Sequence, residues 1–487
     1  EIPRIMLACL PRLAVAGRPA TAGAWCRSLS GAVGGGDDGE SPPACGAELN
    51  QRAREEGIRN FLVSYLDLFG AQRAKLVPAA AIGMVADGGA GFAGFAAHFD
   101  MTPADADVMA YPDPSSLIRL PWKPEVAWLA ADLWCNGKPF EQSPRRVLAK
   151  QMQAAAALGL ELKTGVEVEF MLLNQTSPGQ PPAVDALDSS AKPCYDQVAL
   201  MRRYDVLSEL CGYMEGLGWA PYQADHEDAN GQFEINFNFD CAMATADRVA
   251  FHKFMVRSVA EKHGLRATFM PKPFTNKTGN GLHCHFTMHA PAEGGRNVFK
   301  AASGAEACGD EYGLSQVALH FLGGVIHHTP SLAAITNPTV NSYKRLCAPS
   351  TDSGATWAPT VASHGGNDRT HVIRVPDAPR FELRLADTAA NPYLLPAGLL
   401  AAGLDGMATE ADPGPRAKVP AHALPPGAAK PIPVNLLDAI RAFEADATLT
   451  SALGADFSKA YVKLRRQQWA EYTSQVSPWE LETGLDA

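Results

Sequence analysis

The sequence predicts an α+β protein with two domains or more, and three observations support this prediction. The chain has 487 residues, which is more than one simple hydrophobic core usually spans. Short segments in which apolar and polar residues alternate, as they do in strands, recur along the chain. Segments with helical periodicity and recognisable start or stop signals lie between them.

Three regions follow from these signals. Residues 1–50 form an Ala/Ser/Arg-rich leader with no acid between Glu1 and Asp37, which predicts either an organellar transit segment or a disordered tail without a targeting role. Residues 51–142 form an N-terminal domain, in which IRNFLVSYLDLFG and AQRAKLVPA alternate as two strands would. Ser143 and Pro144 mark the start of a helix, so the C-terminal domain is expected to run from residue 143 to 487.

Helical patterns dominate the rest of the C-terminal domain. The first predicted helix follows Ser143 and ends at Gly159, and further helices are predicted over residues 248–263, 314–328, 436–443 and 457–472. The segment 413–433 is rich in Pro, Ala and Gly, which predicts a long surface loop.

The bulk composition excludes several classes of function. The net charge is −10, so the chain lacks the basic surface that nucleic-acid-binding proteins use. No uninterrupted apolar run approaches the ~20 residues of a membrane-spanning helix. The ten cysteines form no C-x-x-C pair, which is typical of reduced thiols in an intracellular protein. The expected location is the cytoplasm, or a mitochondrion or plastid if the leader is a transit segment.

Four predicted strands place polar residues on one face and apolar residues on the other. In GVEVEF, Glu167 and Glu169 point the same way because side chains alternate across a strand. The corresponding polar residues of GQFEINFNF, GLHCHFTMH and RFELRL are Glu234, Asn236, Asn238, His283, His285, Thr287, Glu382 and Arg384. An antiparallel sheet with one solvated face would give the same alternation. These faces carry Glu, His, Asn and Arg but no Lys, which favours a functional site.

The acids and histidines of these strands form a candidate metal site. Together with the acidic turn ADHED at residues 224–228, the set holds at least five carboxylates and one or two histidines. Zinc is an alternative because H-x-H is a common zinc spacing, but closed zinc sites prefer four Cys or His ligands. A site so rich in carboxylates predicts Mg²⁺ or Mn²⁺, with two ions expected, and such ions commonly neutralise phosphate oxygens.

A group of arginines follows in the C-terminal part of the sequence. Its members, which alternate with apolar residues, are Arg345, Arg369, Arg374, Arg380 and Arg384. Surface salt bridges would account for each of them singly. Near metal ions and carboxylates, however, guanidinium groups are suited to clamp a carboxylate substrate and a transferring phosphoryl group. Neither a Walker loop nor a dinucleotide-binding glycine motif is present.

Taken in order, these motifs resemble those of the glutamine synthetase superfamily. GVEVEF resembles its E-x-E strand, DHEDANGQFEINF its H-E…Q-x-E segment and GNGLHCHFTMH its G-x-x-x-H-C-H motif. NSYKRL and RFELRLADTAANPYL resemble the substrate-arginine and terminal metal-Glu segments, and PDPSSLIRLPW resembles part of the N-terminal domain. The SGATW and GNDRTHVIRVP stretches are most similar to the type III or glutamate-amine ligase branch.

The resemblance implies a role for each candidate residue. One metal ion would be held by Glu169, Glu227 and Glu234. A second ion, which meets the ATP phosphates, would be held by Glu167, His283 and Glu382. ATP would contact His285, Thr287, Phe239 and Arg380. L-Glutamate would be bound by Arg345, Arg384 and Gly279, and the transferring phosphate would be stabilised by Arg369 and Arg374.

The implied reaction has two steps. ATP phosphorylates the side-chain carboxylate of L-glutamate to γ-glutamyl phosphate, and an amine then displaces phosphate. Two departures from the family concern the amine. The acid that binds ammonium in the N-terminal domain is missing from GGAGFAGFAAHFD, and the loop after KRL has Asp352 as its only acid where the family has a flap glutamate. Ammonia is the expected acceptor, with Asp352 as a candidate base, and methylamine or another alkylamine is the alternative.

The resemblance also implies an architecture. A small β-grasp-like N-terminal domain would precede a large catalytic domain, whose antiparallel sheet curves around the site and is surrounded by helices. Family members form rings in which the N-terminal domain of one subunit completes the site of the next, so a ring homo-oligomer, a dodecamer, is expected. A non-catalytic assembly protein with this fold is the alternative from another class. Such a protein would be expected to lose metal ligands, whereas all six implied positions are filled here.

Overall fold

The computed structural model describes residues 41–175, 180, 183–301, 313–348, 350–377 and 379–486. Most of the predicted leader, residues 1–40, lies outside these ranges, so its two interpretations stay predictions. Within the ranges, no helix combines the length and the apolar character that crossing a membrane requires.

The N-terminal part of the chain forms a mixed seven-stranded sheet with flanking helices. Its elements are α1 (Gly46–Glu56), β1 (Asn60–Leu66), β2 (Gln72–Pro78), α2 (Ile82–Gly88), β3 (Ala90–Phe92), β4 (Val108–Pro112), β5 (Ile118–Arg119), β6 (Val126–Cys135) and β7 (Lys138–Pro139). The strand order is β2-β1-β6-β4-β3, and β1 pairs antiparallel with β2 but parallel with β6. The two strands predicted from alternation are β1 and β2. The predicted boundary between residues 50 and 51 falls inside α1, whose Leu49 and Ala53 are buried.

Two mainly antiparallel sheets carry the predicted polar strands. The first consists of β9 (Phe170–Asn174), β10 (Pro221–His226), β11 (Gln232–Phe237) and β13 (Leu265–Thr268), in the order β10-β11-β9-β13. The second consists of β8 (Glu161–Val168), β12 (Asp240–Cys241), β14 (Leu282–Ala290), β15 (Arg296–Asn297), β17 (His364–Gly365), β18 (Ile373–Arg374) and β19 (Phe381–Leu383). Its order is β12-β8-β14-β19-β18-β17, with β15 beside β14. A separate pair is formed by β16 (Val361–Ala362) and β20 (Lys430–Pro431).

Glu169 is the residue at which the chain passes from one of these sheets to the other. The strand β8 ends at Val168, and β9 begins at Phe170. Val168 and Phe170 are fully buried in the core, so the acids between and beside them face the opposite way. Because β14 pairs with both β8 and β19, its histidines lie across from acids: His283 opposite Glu167, and His285 opposite Glu382.

Helices pack around the sheets and supply much of the apolar core. They are α3 (Pro144–Ala157), α4 (Gln197–Arg202), α5 (Tyr204–Gly216), α6 (Ala242–Lys262), α7 (Gln316–Thr336), α8 (Val340–Leu346), α9 (Leu394–Ala408), α10 (Leu436–Ala445), α11 (Ala447–Leu453), α12 (Ala455–Thr473) and α13 (Pro478–Gly484). The predicted helices correspond to α3, α6, α7, α10 and α12, and the α+β class is confirmed. Between residues 413 and 433 the chain forms only a short turn at Ala421–Ala423 and β20, as predicted for a loop.

Two helix predictions were wrong in extent. Helix α6 begins at Ala242, because the chain turns directly from β12 into the helix. Helix α7 continues past Pro330 to Thr336, although proline usually ends a helix. Tight packing of α7 against α9 favours the longer helix: a Cβ on Gly324 would lie 2.1 Å from the carbonyl oxygen of Ala402.

Candidate active site

The predicted site residues line two neighbouring cavities that share Glu167. The first, the acidic cavity, has a volume of about 250 Å³. Its predicted members are Glu167, Glu169, Glu227, Glu234, Gly279, His283, Arg345, Arg369, Arg374 and Arg384. The second, the adjoining cavity, has a volume of about 370 Å³, and its predicted members are Glu167, Phe239, His285, Thr287 and Arg380. A larger cavity of about 870 Å³ lies beside Lys253 and Arg257, and none of the predicted residues line it.

Two predicted residues line neither cavity. Glu382 is fully buried and accepts hydrogen bonds from Nη1 of Arg374, at 2.6 Å, and from Arg384. Asp352 is half exposed, accepts a hydrogen bond from Nδ2 of Asn276 at 2.7 Å and lies 3.7 Å from Nζ of Lys277. Glu382 therefore holds two arginines of the acidic cavity in place, whereas Asp352 contacts Asn276 and lines neither cavity.

Glu167 connects the two cavities through both histidines of β14. Its Oε2 lies 3.2 Å from Nδ1 of His283, and its Oε1 lies 2.9 Å from Nε2 of His285. Burial opposes ionisation of this carboxyl group, but the hydrogen bonds to the two histidines outweigh burial and lower the pKa of Glu167. Glu167 is therefore charged at neutral pH.

Glu169 is fixed at the junction of the sheets by two neutral donors. Its Oε2 accepts hydrogen bonds from the backbone N–H of Gly281, at 2.7 Å, and from Nε2 of Gln232, at 2.8 Å. Gly281 has no room for a side chain, because a Cβ there would lie 2.9 Å from Glu169 Oε1, 2.9 Å from His283 Nε2 and 3.0 Å from Arg345 Nη2. Sequence reasoning assigned no role to Gln232 or Gly281, although both stand within the quoted motifs.

Glu227, Glu234 and Asp225 form an acidic group in which Glu234 is buried and the other two are partly buried, with one oxygen of each within 4.8 Å of the others. Burial raises the pKa of Glu227 to about 8, and the charges of Glu169 and Asp225 add to this effect. Burial, together with the charges of Glu167 and Glu227, raises the pKa of Glu234 well above its ordinary value. Among the described residues, no Lys or Arg forms an ion pair with Glu227 or Glu234. These carboxylates therefore ionise readily only when a cation is supplied.

The donor atoms of the two cavities fit a divalent metal ion. Three overlapping groups are close enough to share an ion: Glu167, His285 and Glu382; Glu167, Glu234 and His283; and Asp225, Glu227 and Glu234. The buried atoms without a hydrogen-bond partner in the part of the chain that the structure describes include three near these groups, namely His283 Nε2, His285 Nδ1 and Asn236 Oδ1. Carboxylate oxygens with imidazole nitrogens suit hard divalent cations. The grouping brings in Asp225 and His285, which the resemblance did not place among the metal ligands.

Four arginines, Arg345, Arg369, Arg374 and Arg384, line the acidic cavity together with the acids. Arg345 is buried, and its Nη1 donates a hydrogen bond to the carbonyl oxygen of Leu385 at 3.1 Å. Burial lowers the pKa of Arg345, an effect that the charges of Asp387 and Glu169 oppose. Within the described ranges, neither Arg345 nor Arg369 has an ion-pair partner. Their guanidinium groups can therefore receive an anionic ligand.

The adjoining cavity combines aromatic rings with one flexible cation. Besides the predicted Phe239, it is lined by Tyr222, Phe237 and Phe286. Arg380 is partly exposed and pairs with Asp377 at 2.6 Å. A flat ring system with an attached anionic group would meet both kinds of surface here.

The fold and the donor atoms of the site are typical of enzymes that use divalent cations and arginines on an anionic substrate. The chain matches the family model "Glutamine synthetase, catalytic domain" over residues 141–483. It is 54% identical over 446 residues to the glutamine synthetase of Rhizobium meliloti strain 1021, with 90% of this chain and 99% of that protein covered. It is 41% identical over 454 residues to the glutamate–methylamine ligase of Methyloversatilis universalis, with the same coverage.

A solved structure described as a GmaS/ADP complex in conformation 1 has the same fold. Its TM-score is 0.84 at 56% sequence identity, with 90% of this chain and 99% of that chain covered. The chain belongs to the glutamine synthetase family, as its motifs predicted.

Proposed function

We propose that this protein is an ATP-dependent ligase that joins an amine to the side-chain carboxylate of L-glutamate through γ-glutamyl phosphate. Similarity to both a glutamine synthetase and a glutamate–methylamine ligase supports the proposal and leaves ammonium and a small alkylamine as acceptors. The observation that carries it is the meeting of carboxylates, a histidine and arginines from β8, β11, β14, α8 and the segment after β19 in one cavity. A non-catalytic relative would have no reason to keep this set of buried acids without partners.

The metal ions of the proposed reaction are Mg²⁺ or Mn²⁺. The residues that would hold them are Glu167, Glu169, Glu227, Glu234, His283 and Glu382, joined by Asp225 and His285. When bound, the ions would neutralise charge on the phosphate oxygens of ATP. The arrangement of unpartnered carboxylates and imidazole nitrogens around Glu167 supports this assignment.

The protein's own side chains position the two substrates. ATP would lie in the adjoining cavity against Phe239, with His285, Thr287 and Arg380 beside it. Glutamate would bind in the acidic cavity to Arg345 and Arg384, next to Gly279, where a Cβ would lie 2.3 Å from the carbonyl oxygen of Pro271. Arg369 and Arg374 would stabilise the phosphoryl group as it crosses from one cavity to the other. Glu382 supports this step by fixing the guanidinium of Arg374.

Two further parts of the proposal concern Asp352 and the assembly. A general base must reach the proton that it removes, so Asp352 would act only after its loop had moved away from Asn276. The subunits would form a ring, with a dodecamer as the expected size, in which a neighbouring N-terminal domain completes each site. Light scattering on the purified protein measures the mass of the assembly, and a monomer would contradict the ring.

The function is tested by phosphate release from ATP in the presence of L-glutamate, Mg²⁺ and either ammonium, methylammonium, ethylammonium or hydroxylamine. We expect release that requires both glutamate and an amine. Replacing Glu167 with Gln should lower kcat by about 10³-fold, since it removes a charge that the site uses in phosphoryl transfer, while the thermal transition is retained. The matched control is Glu444→Gln on α10, whose carboxylate is half exposed and pairs with Arg466. Normal turnover by the Glu167→Gln variant would refute the site.

A further inference from the structure

Two large aromatic residues at the acidic cavity adopt an unusual backbone conformation. Tyr195 has a φ of 64° and Trp357 a φ of 57°, and both line this cavity. Positive φ is the left-handed region, which large side chains rarely occupy. Residues persist there when the surrounding structure holds them, and such residues cluster at functional sites. Neither residue was among those that the sequence predicted.

Both residues form hydrogen bonds with the residues next to Glu227 in the sequence. The backbone N–H of Tyr195 donates a hydrogen bond to the carbonyl oxygen of His226 at 2.8 Å. The indole Nε1 of Trp357 donates to Oδ2 of Asp228 at 2.7 Å. Because His226 and Asp228 flank Glu227 in the sequence, the two aromatic residues are positioned relative to the buried acids of the cavity.

His226 and Asp228, which bind Tyr195 and Trp357, are held in place by further hydrogen bonds. His226 is buried, and its Nε2 lies 2.8 Å from Oδ2 of Asp188. The same oxygen of Asp228 that holds Trp357 also accepts hydrogen bonds from Thr278, at 2.8 Å, and from Ser353, at 2.5 Å. Ser353 and Thr278 belong to different loops. Asp228 therefore connects the loop that contains Ser353 and Trp357 to the loop before β14, which contains Thr278. The rings are thereby built into the wall of the cavity.

These rings are not part of the hydrophobic core. Tyr195 is 68% exposed and Trp357 is 40% exposed. Aromatic faces attract cations, with tryptophan the most effective, and they also give apolar contact to alkyl groups. Asp225 and Glu227, which are proposed metal ligands, line the same cavity as the rings. The acid on the Trp357 loop that could have drawn a bare cation, Asp352, instead contacts Asn276.

We propose that Trp357 and Tyr195 determine the choice of acceptor amine and select a small primary alkylammonium ion over ammonium. This inference rests on the proposed function. The ring faces attract the positive charge that both ions share, and they contact the alkyl group that only one of the ions has. Asp228 acts as a positioning residue, because it touches the indole N–H and not the amine.

The test compares kcat/KM for ammonium, methylammonium and ethylammonium at saturating ATP, L-glutamate and Mg²⁺. The full-length protein should prefer methylammonium over ammonium by roughly 10-fold or more, the usual range for one carbon in an apolar pocket. Trp357→Ala should remove most of that preference by raising the KM for methylammonium, while the KM for L-glutamate stays unchanged. Trp357→Phe should restore much of it, since the ring is kept. Tyr195→Ala should act in the same direction as Trp357→Ala.

The control variant is Trp479→Ala on α13, a tryptophan that is 69% exposed and lines neither cavity, and it should leave the preference as it is. A purely structural role for Trp357 would lower turnover of both amines in equal proportion, and that result would overturn the proposal. So would a parent protein that prefers ammonium. Absence of phosphate release with every amine, hydroxylamine included, would instead refute the proposed function itself.

Discussion

Two clusters of acidic side chains in this structure have different surroundings. In the first, Arg145 at the start of α3 lies 2.6 Å from Asp113, 2.6 Å from Asp132 and 3.3 Å from Asp247. The hydroxyl of Tyr393 donates a further hydrogen bond to Asp247 at 2.7 Å. In the second, the acidic cavity, Glu227 and Glu234 have no such cation among the described residues.

This difference separates a cluster that stabilises the fold from one that, in the proposed function, serves the reaction. The Arg145 cluster joins the N-terminal sheet to α6 and to the start of α9, and the chain itself supplies the cation. Among the described residues, Glu227 and Glu234 have no paired cation, which lowers the stability of the folded state. Active sites commonly keep such unfavourable arrangements because the ligand completes them. Changes to the two clusters should therefore have opposite effects on stability.

The largest expected effect on stability comes from removing the cation of the Arg145 cluster. Arg145→Ala would leave three aspartates without their shared partner, so we expect a loss of about 3–5 kcal/mol in the free energy of unfolding. Urea unfolding of the two proteins measures this difference. Arg441→Ala is the control, because its partner Asp438 is exposed and such pairs contribute about 0–1 kcal/mol. Similar losses of unfolding free energy in the Arg145→Ala and Arg441→Ala variants would contradict the stabilising role assigned to the Arg145 cluster.

The opposite effect is expected when a carboxylate of the acidic cavity is neutralised. The pKa of Glu227 is about 8 in the folded chain against an ordinary value of 4.5. Between these values the folded state keeps a proton that the unfolded state releases, so stability falls as the pH rises through this window. At pH 7, Glu227→Gln should therefore raise the free energy of unfolding by on the order of 3 kcal/mol in metal-free buffer.

The same Glu227→Gln variant should lose ligase activity, since it lacks a proposed metal ligand. Measuring the free energy of unfolding and the ligase activity of this one variant therefore tests whether Glu227 lowers stability while it serves the reaction. A variant less stable than its parent at pH 7 would show that Glu227 has a compensating partner, and the contrast with Arg145 would then fail.

A smaller effect on activity is expected from a substitution at Gly281. This substitution tests the lack of space in the site rather than its charge. Gly281→Ala would press a methyl group against Glu169, His283 and Arg345, so we expect kcat/KM to fall by about 10²-fold through misplacement of these groups. Gly212→Ala in α5 is the matched control, because a Cβ there has nothing within 4 Å, and it should stabilise the helix by up to about 1 kcal/mol. Steady-state kinetics with unchanged values for Gly281→Ala would show that the site tolerates the shift.

Much of the site could be predicted from the sequence because burial leaves a local pattern. Alternation in GVEVEF and GLHCHFTMH reflects strands with one face in the core, which is why Glu167 and His283 were found together. Helix α1 gave a weak signal, since few of its side chains, such as Leu49 and Ala53, are apolar and buried. The length of α7 was missed because packing against α9 overrides the stop signal of Pro330.

Contacts between distant segments left no such pattern. The hydrogen bond from Trp357 to Asp228 joins residues 129 positions apart. The grouping of Asp113, Asp132 and Asp247 around Arg145 likewise depends on how the two parts of the chain pack. The close approach at Gly281 follows from three side chains that arrive on different elements. Spacing within a motif carries no information on any of these contacts.

The smallest expected effect is the response of the free energy of unfolding to Mg²⁺. It tests whether the acidic cavity binds the metal ion. Metal ligands must be deprotonated, so Mg²⁺ should stabilise the protein more at pH 8.5, above the pKa of Glu227, than at pH 6. At a free Mg²⁺ concentration tenfold above its dissociation constant, the gain at the higher pH should be about 1.4 kcal/mol. The Arg441→Ala variant should respond as the parent does, whereas Glu227→Gln should respond weakly. Equal stabilisation at both pH values would mean that the ion binds without displacing protons from the acidic cavity, and the cations that these carboxylates lack would have to be sought elsewhere.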